Sequence, residues 1–149
     1  MASPFSRVLT IAENEIGVQE WPGKEHNPRI LEYHATTTLG DWGRSRDEVP
    51  WCSSFVNWCF WRAGIEGTDN ALAISWRYWH TQVKPIEDFQ PGDVMVLKRK
   101  KRKRGGYHVG FPYGVDARHV ALLGGNQDDM VQMSVYNRRA WRIIAVRRA

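Results

Sequence analysis

The stretch "EVPWCSSFVNWCF", residues 48–60, contains both cysteines of the chain, Cys52 and Cys59. Four kinds of chemistry are open to such a pair: a disulfide, a metal site, two core residues, or a nucleophile with a bystander. The apolar spacing of Cys52, Phe55, Val56, Cys59, Phe60 and Ala63 is helical. On a helix the two sulfurs stand roughly 10.5 Å apart along the axis. A disulfide needs Cα atoms within about 7 Å, so an intrachain bond inside this helix is excluded. Zinc calls for a second close ligand pair, and none accompanies these two. Two roles remain. Cys59 lies two turns inside an apolar face and reads as core. Cys52 follows Val49-Pro50-Trp51, and Pro50 disfavours helix before it, so Cys52 falls in the first turn. Free N–H groups and the positive end of the helix dipole favour a thiolate there.

A cysteine nucleophile needs a base. Five histidines are present: His26, His34, His80, His108 and His119. His26 and His34 precede the cysteine in loop or short-helix contexts, and His80 ends an aromatic segment. His108 in "YHVGF" and His119 in "RHVAL" both lie in strand-like runs, where a base is rigidly mounted. Residue patterns alone leave both open. Asn126 in "LLGGNQDD" stands 18 residues beyond His108, at hairpin-neighbour distance, and is a candidate to orient the base.

These residues need elements to hold them. Ser3-Pro4 and Asn27-Pro28 are helix-start signals, the first followed by helix to about Gly17. A third helix is expected from about Trp51 to Ala63-Gly64, and a fourth over 70–81; residues 36–50 read as loop. From "QPGDVMVL" (90–97) onward the pattern becomes strand-like: "YHVGFPYG", "RHVALLGG", "MVQMSVY" and "AWRIIAVRR". Helices first and strands after imply an α+β domain with an antiparallel sheet. No repeat and no long linker interrupts the chain, so residues 1–149 are expected to form a single domain without a separate wall-binding unit.

Length and composition agree: 149 residues, 42% hydrophobic, and eight tryptophans, which fill cores or line grooves. The net charge of +5 suggests an acidic partner. Seven of the cations are consecutive: Lys98, Arg99, Lys100, Lys101, Arg102, Lys103 and Arg104, expected in a solvated loop between two strands. The N-terminal segment has no basic start followed by an apolar run, and no stretch is long enough to span a membrane. The expectation is a protein made in a cytoplasm and released to its site by another factor.

The motifs "DEVPWCSSFVNWC", "PGDVMVL", "YHVGF" and "LLGGNQDD", in this order, resemble the small cell-wall hydrolases of the CHAP/NlpC-type superfamily, and within it a compact phage and prophage subgroup that serves as endolysins. The likeness runs from Ala12 onward. It implies a papain-like fold, helices packed on the sheet, with Cys52 as nucleophile, His108 rather than His119 as base, and Asn126 as orienting residue. The substrate implied is bacterial peptidoglycan, cut at an amide of the wall peptide or at the muramoyl-L-alanine linkage. Where many CHAP enzymes carry a glutamate, this chain has Gly124; where a glycine usually precedes the histidine, it has Tyr107. Trp51, Trp42, Trp21 and Tyr107 are candidate substrate-groove walls. Asp41, Asp47 and Glu48 form no convincing ligand ladder, so neither metal nor cofactor is expected. The basic run 98–104 is expected to bind anionic envelope components such as lipopolysaccharide, and the protein to act as a monomer. The rival reading is a nucleic-acid binder or a non-catalytic wall-binding module using the same run. No aromatics interleave its cations, which argues against specific nucleic-acid binding.

Overall fold

The computed structural model describes residues 3–149. Met1 and Ala2, where the N-terminal segment read above begins, lie outside the described residues. Among the described residues four α-helices precede a six-stranded sheet: α1 (Pro4–Asn14), α2 (Pro28–His34), α3 (Asp41–Arg44), α4 (Cys52–Arg62), then β1 (Thr81–Gln82), β2 (Val94–Arg99), β3 (Tyr107–Val115), β4 (His119–Gln127), β5 (Met130–Asn137) and β6 (Trp141–Arg148). The expected caps are in place. Ser3 accepts the Ser6 N–H at the start of α1, and Asn27 accepts the Arg29 N–H at the start of α2.

Two expectations need correction. Residues 36–50 are not all loop, because Asp41–Arg44 forms the one-turn α3. The fourth helix is not an α-helix: only Ala73–Tyr78 is helical, in the tighter 3-10 form. Its aromatics serve long-range packing, with Trp76 stacked on Phe60 at 5.5 Å and Trp79 tilted against it at 4.9 Å.

The sheet is antiparallel, in the order β1-β6-β2-β3-β4-β5. β5 is an edge strand and β6 lies near the opposite edge, yet only residues 138–140 join them. Such a short connection requires the sheet to curl. Two cores result. Val94, Val96, Val109 and Leu123 face the helices, while Met95, Leu97, Val120, Leu122 and Val146 pack together in a second cluster. The alternation along β2 divides its side chains between the two.

α4 is the centre of the molecule, packed against α1 and α2 on one side and β3 and β4 on the other. Every residue from Trp51 to Phe60 is buried, so the helix buries its whole circumference and not a single stripe. Its polar residues are satisfied internally. The Trp76 indole N–H donates to Ser53 Oγ at 2.8 Å, and Ser53 Oγ donates to Asn70 O at 2.6 Å. Asn57 accepts the Asp69 N–H and donates to Asn70 O, binding the 68–70 loop to the helix.

Candidate active site

Cys52 is the first residue of α4. The N-cap is Trp51, whose side chain makes no capping bond, so the first-turn N–H groups are left to other partners. The loop leading in is anchored from two sides. Asp47 Oδ2 accepts the N–H groups of Trp21 (2.9 Å) and Asn27 (2.8 Å), and Oδ1 lies 3.0 Å from His26 Nδ1. Behind the loop, the fully buried His34 places Nδ1 2.8 Å from Ser54 Oγ, in the first turn of α4.

The Cys52 thiol meets the backbone N–H of Val109, the residue after His108, as well as those of Ser53 and Cys52 itself. This contact joins the helix start to the first residues of β3. Burial pushes the Cys52 thiol up, and the three N–H groups only partly oppose it. Burial likewise holds His108 below the ordinary histidine range, with Gln127 opposing. Burial thus opposes the thiolate that the helix start favours. Desolvation works against charge on both groups in so closed a site.

His108 Nε2 lies 2.9 Å from Gln127 Oε1. The Gln127 amide NH₂ donates to Leu122 O (3.2 Å) and Gln132 O (2.6 Å), so its oxygen must face the ring. Nε2 therefore carries the proton, and Nδ1 is the free acceptor. Tyr136 stacks beside the imidazole, ring centres 5.4 Å apart, and close enough to Cys52 for the sulfur's charge to push its phenol up.

The orienting hydrogen bond thus comes from Gln127 and not from Asn126, the residue named from sequence. The reason is a β-bulge. The β4–β5 register shifts between Gly124 and Gln127, and Asn126 adopts φ +56°, a left-handed conformation asparagine tolerates. One extra residue reverses the alternation, so Gln127 faces the side that Gly124 faces. A Cβ at Gly124 would stand 2.5 Å from Gln127 Oε1 and 3.4 Å from His108 Nε2. A Cβ at Gly125, on the other side, would stand 2.7 Å from Phe55 Cβ and 2.8 Å from the Trp51 ring. One glycine makes room for the histidine pair, the other for the cysteine helix.

The remaining sequence candidates separate clearly. His119 is exposed at the far end of β4, 3.9 Å from Asp116, away from Cys52. Trp51 cannot wall a groove: it is fully buried, 5.8 Å from Tyr33. Trp21 and Trp42 are exposed, Trp42 stacking on Arg46. Tyr107 is half-buried under Lys98. Lys98 and Arg99 belong to β2, and Lys100–Arg104 form the exposed loop beyond it. His26, Asp47 and Glu48 bring one potential metal-ligand atom each within 4.8 Å of one another, but Asp47 already spends its oxygens as the loop anchor. Sequence reasoning missed Gln127, Tyr136 and the Val109 N–H. Gly-Gly-Asn followed by Asp-Asp was the available sign of a bulge and tight turn.

The sequence matches the CHAP domain family over residues 44–126, a span holding Cys52, His108 and both glycines. No match is found among curated proteins. The fold is similar to NlpC1 and NlpC2 from Trichomonas vaginalis, each with TM-score 0.62 and 15% identity. The alignments cover 99% of this chain but 45% of NlpC1 and 47% of NlpC2, so the chain spans less than half of either protein. The likeness identifies the architecture as the papain-like α+β fold, with helices packed on an antiparallel sheet. With more than half of its length matched, its cysteine heading a buried helix and its histidine on the adjoining strand, the chain belongs to the CHAP domain family.

Proposed function

We propose that the protein is a cysteine-dependent peptidoglycan hydrolase working through Cys52, His108 and Gln127. The observation that carries this reading is the fixed tautomer of His108, with Nε2–H held by Gln127 and Nδ1 left as the acceptor. Cys52 Sγ attacks an amide carbonyl carbon of the wall peptide or of the muramoyl-L-alanine linkage as its proton passes to His108 Nδ1. N–H groups at the start of α4 hold the developing oxyanion. The C–N bond breaks as His108 returns the proton to the leaving amine. Water, deprotonated by His108, then attacks the thioester and frees the thiol. Trp21 and Trp42 are the exposed aromatics available to line the approach, with Tyr107 beside the base.

The reading extends to an endolysin role of phage or prophage type, in which a monomer made in the host cytoplasm reaches the wall after release by another factor. Among the described residues no helix is long and apolar enough to cross a membrane. Contact with anionic envelope components falls to the basic run 98–104. The decisive experiment is digestion of purified sacculi by the wild type and by Cys52→Ser, with mass spectrometry of the fragments. New amine and carboxyl termini from the wild type alone support the reading and identify the bond. Retention on DNA with sacculi left intact would favour the nucleic-acid binder.

A further inference from the structure

Away from Cys52, three turns converge: the β2–β3 loop, the β3–β4 turn and the β5–β6 turn. Lys100 donates its backbone N–H to Ala140 O (2.9 Å) and its ammonium to Arg138 O (2.9 Å). Arg138 in turn donates its backbone N–H to Arg118 O (2.8 Å) and its guanidinium to Asp116 O (2.6 Å). Between the turns lies a cavity of about 530 Å³ lined by Lys100, Arg118, His119, Asn137, Arg138 and Arg139. Four of these six side chains are permanent cations. Among the described residues none of the four forms an ion pair with a carboxylate. Asp116, beside the cavity residues in sequence, spends one oxygen on the N–H groups of Arg118 and His119, both at 2.7 Å, which shapes its own turn. The guanidinium groups of Arg118 and Arg139 have no hydrogen-bond partner within the chain among the described residues.

Like charges gathered on three separate turns repel, and folding gains nothing from their meeting. Backbone bonds nevertheless fix the turns, leaving two guanidinium forks without partners in residues that line the cavity. A planar fork matches the paired oxygens of a phosphate group.

We propose that this cavity is a phosphate-binding site, taking a phosphate or diphosphate group carried on a sugar or polyol of the bacterial envelope. Only Lys100 of the basic run takes part; Arg118, Arg138 and Arg139 are distant from that run in sequence. A nucleic-acid strand fits less well. The lining has no phenyl, phenol or indole ring on which bases would stack, and the site is a cup, not a track. Phosphate binding stands on this geometry alone; the envelope as its source rests on the hydrolase reading above.

The test is titration of the full chain with inorganic pyrophosphate at low salt, followed by calorimetry and by the His119 ring resonances. Wild type should bind and shift His119. Arg118→Ser combined with Arg139→Ser should weaken binding by about tenfold or more, the scale of one lost charged hydrogen bond. Lys101→Ser combined with Lys103→Ser should weaken it less. Binding unchanged in the arginine variant, or His119 unmoved, would overturn the site. Retention on vesicles bearing a phosphorylated glycolipid, or on a polyol-phosphate polymer, identifies which envelope source applies. Tighter retention of single-stranded DNA than of either would overturn the envelope assignment. Turnover of a soluble muropeptide should be equal in wild type and arginine variant. Wild type that binds pyrophosphate but turns over no muropeptide would sink the hydrolase reading and leave the phosphate site standing.

Discussion

Cys52 and Cys59 share one helix and one state, reduced and buried, yet their surroundings differ in kind. Cys52 meets three backbone N–H groups, one of them on the strand that carries His108. Cys59 sits two turns on among apolar side chains, and burial together with the charge of Glu15 pushes its thiol well up. The histidines divide the same way. His108 is buried with one nitrogen held by Gln127, whereas His119 is exposed and sits over the basic cavity. Burial alone therefore does not make a reactive group. What distinguishes the first pair is a polar partner for each side chain, backbone N–H groups for the thiol and Gln127 for the ring nitrogen that stays protonated.

The largest effect should come from Cys52→Ser, which should take wall hydrolysis below detection with little change in stability. Cys59→Ser should retain activity and cost about 1–3 kcal/mol, because it puts a hydroxyl among apolar side chains. Activity surviving in the first and lost in the second would reverse the comparison. Next come the histidines. His108→Ala should lower kcat by roughly 10²–10⁴, the usual worth of a general base, and His119→Ala should leave turnover of a soluble muropeptide unchanged. Steady-state assays on the soluble fragment separate the two without interference from envelope binding.

A third pair sharpens the role of the bulge. Gln127→Ala frees the ring of His108 and should reduce kcat roughly tenfold to a hundredfold, as loss of an orienting hydrogen bond does. Asn126→Gly should leave activity and stability near wild type, since glycine adopts φ +56° freely. Asn126→Ala should cost about 1–2 kcal/mol for the left-handed backbone while sparing kcat. If Asn126→Gly were inactive and Gln127→Ala active, the residue that orients His108 would be the asparagine after all.

Much of this was legible in the chain. Caps at Ser3 and Asn27, the switch from helical to alternating spacing, and Pro50 just before Cys52 are local signals, and the structure follows them. What escaped was set by contacts distant in sequence. Trp51 reads as an aromatic beside a nucleophile, but Gly125 of β4 lets the sheet close over it. The segment 70–81 has helical spacing, but the packing of Trp76 and Trp79 on Phe60 keeps it a short 3-10 turn. The choice of Gln127 over Asn126 turns on one inserted residue, because a single bulge reverses every side chain after it.

The smallest effect concerns pH, where buried groups on the two sides of α4 oppose a half-buried one. Burial holds both His108 and His34 below the ordinary histidine value of 6.5. A depressed histidine takes up a proton more readily unfolded than folded. Its contribution is present above about pH 6.5 and is lost as pH falls toward the folded pKa. Glu20 works the other way. Burial and the neighbouring Asp129 push it up from 4.5 to about 7, so its contribution is present below about 4.5 and lost as pH rises through about 7. Asp47 is held below 3.8 by the N–H groups of Asn27 and Trp21 against the effect of burial, so it stays ionised through this range. Between pH 8 and pH 5 the histidines and Glu20 act in opposite directions on the wild-type denaturation midpoint. Glu20→Gln removes the opposing group, so its midpoint should fall measurably from pH 8 to pH 5. His34→Asn in that background should reduce the fall, and a Glu20→Gln protein equally stable at both pH values would show that the two buried histidines are not held neutral.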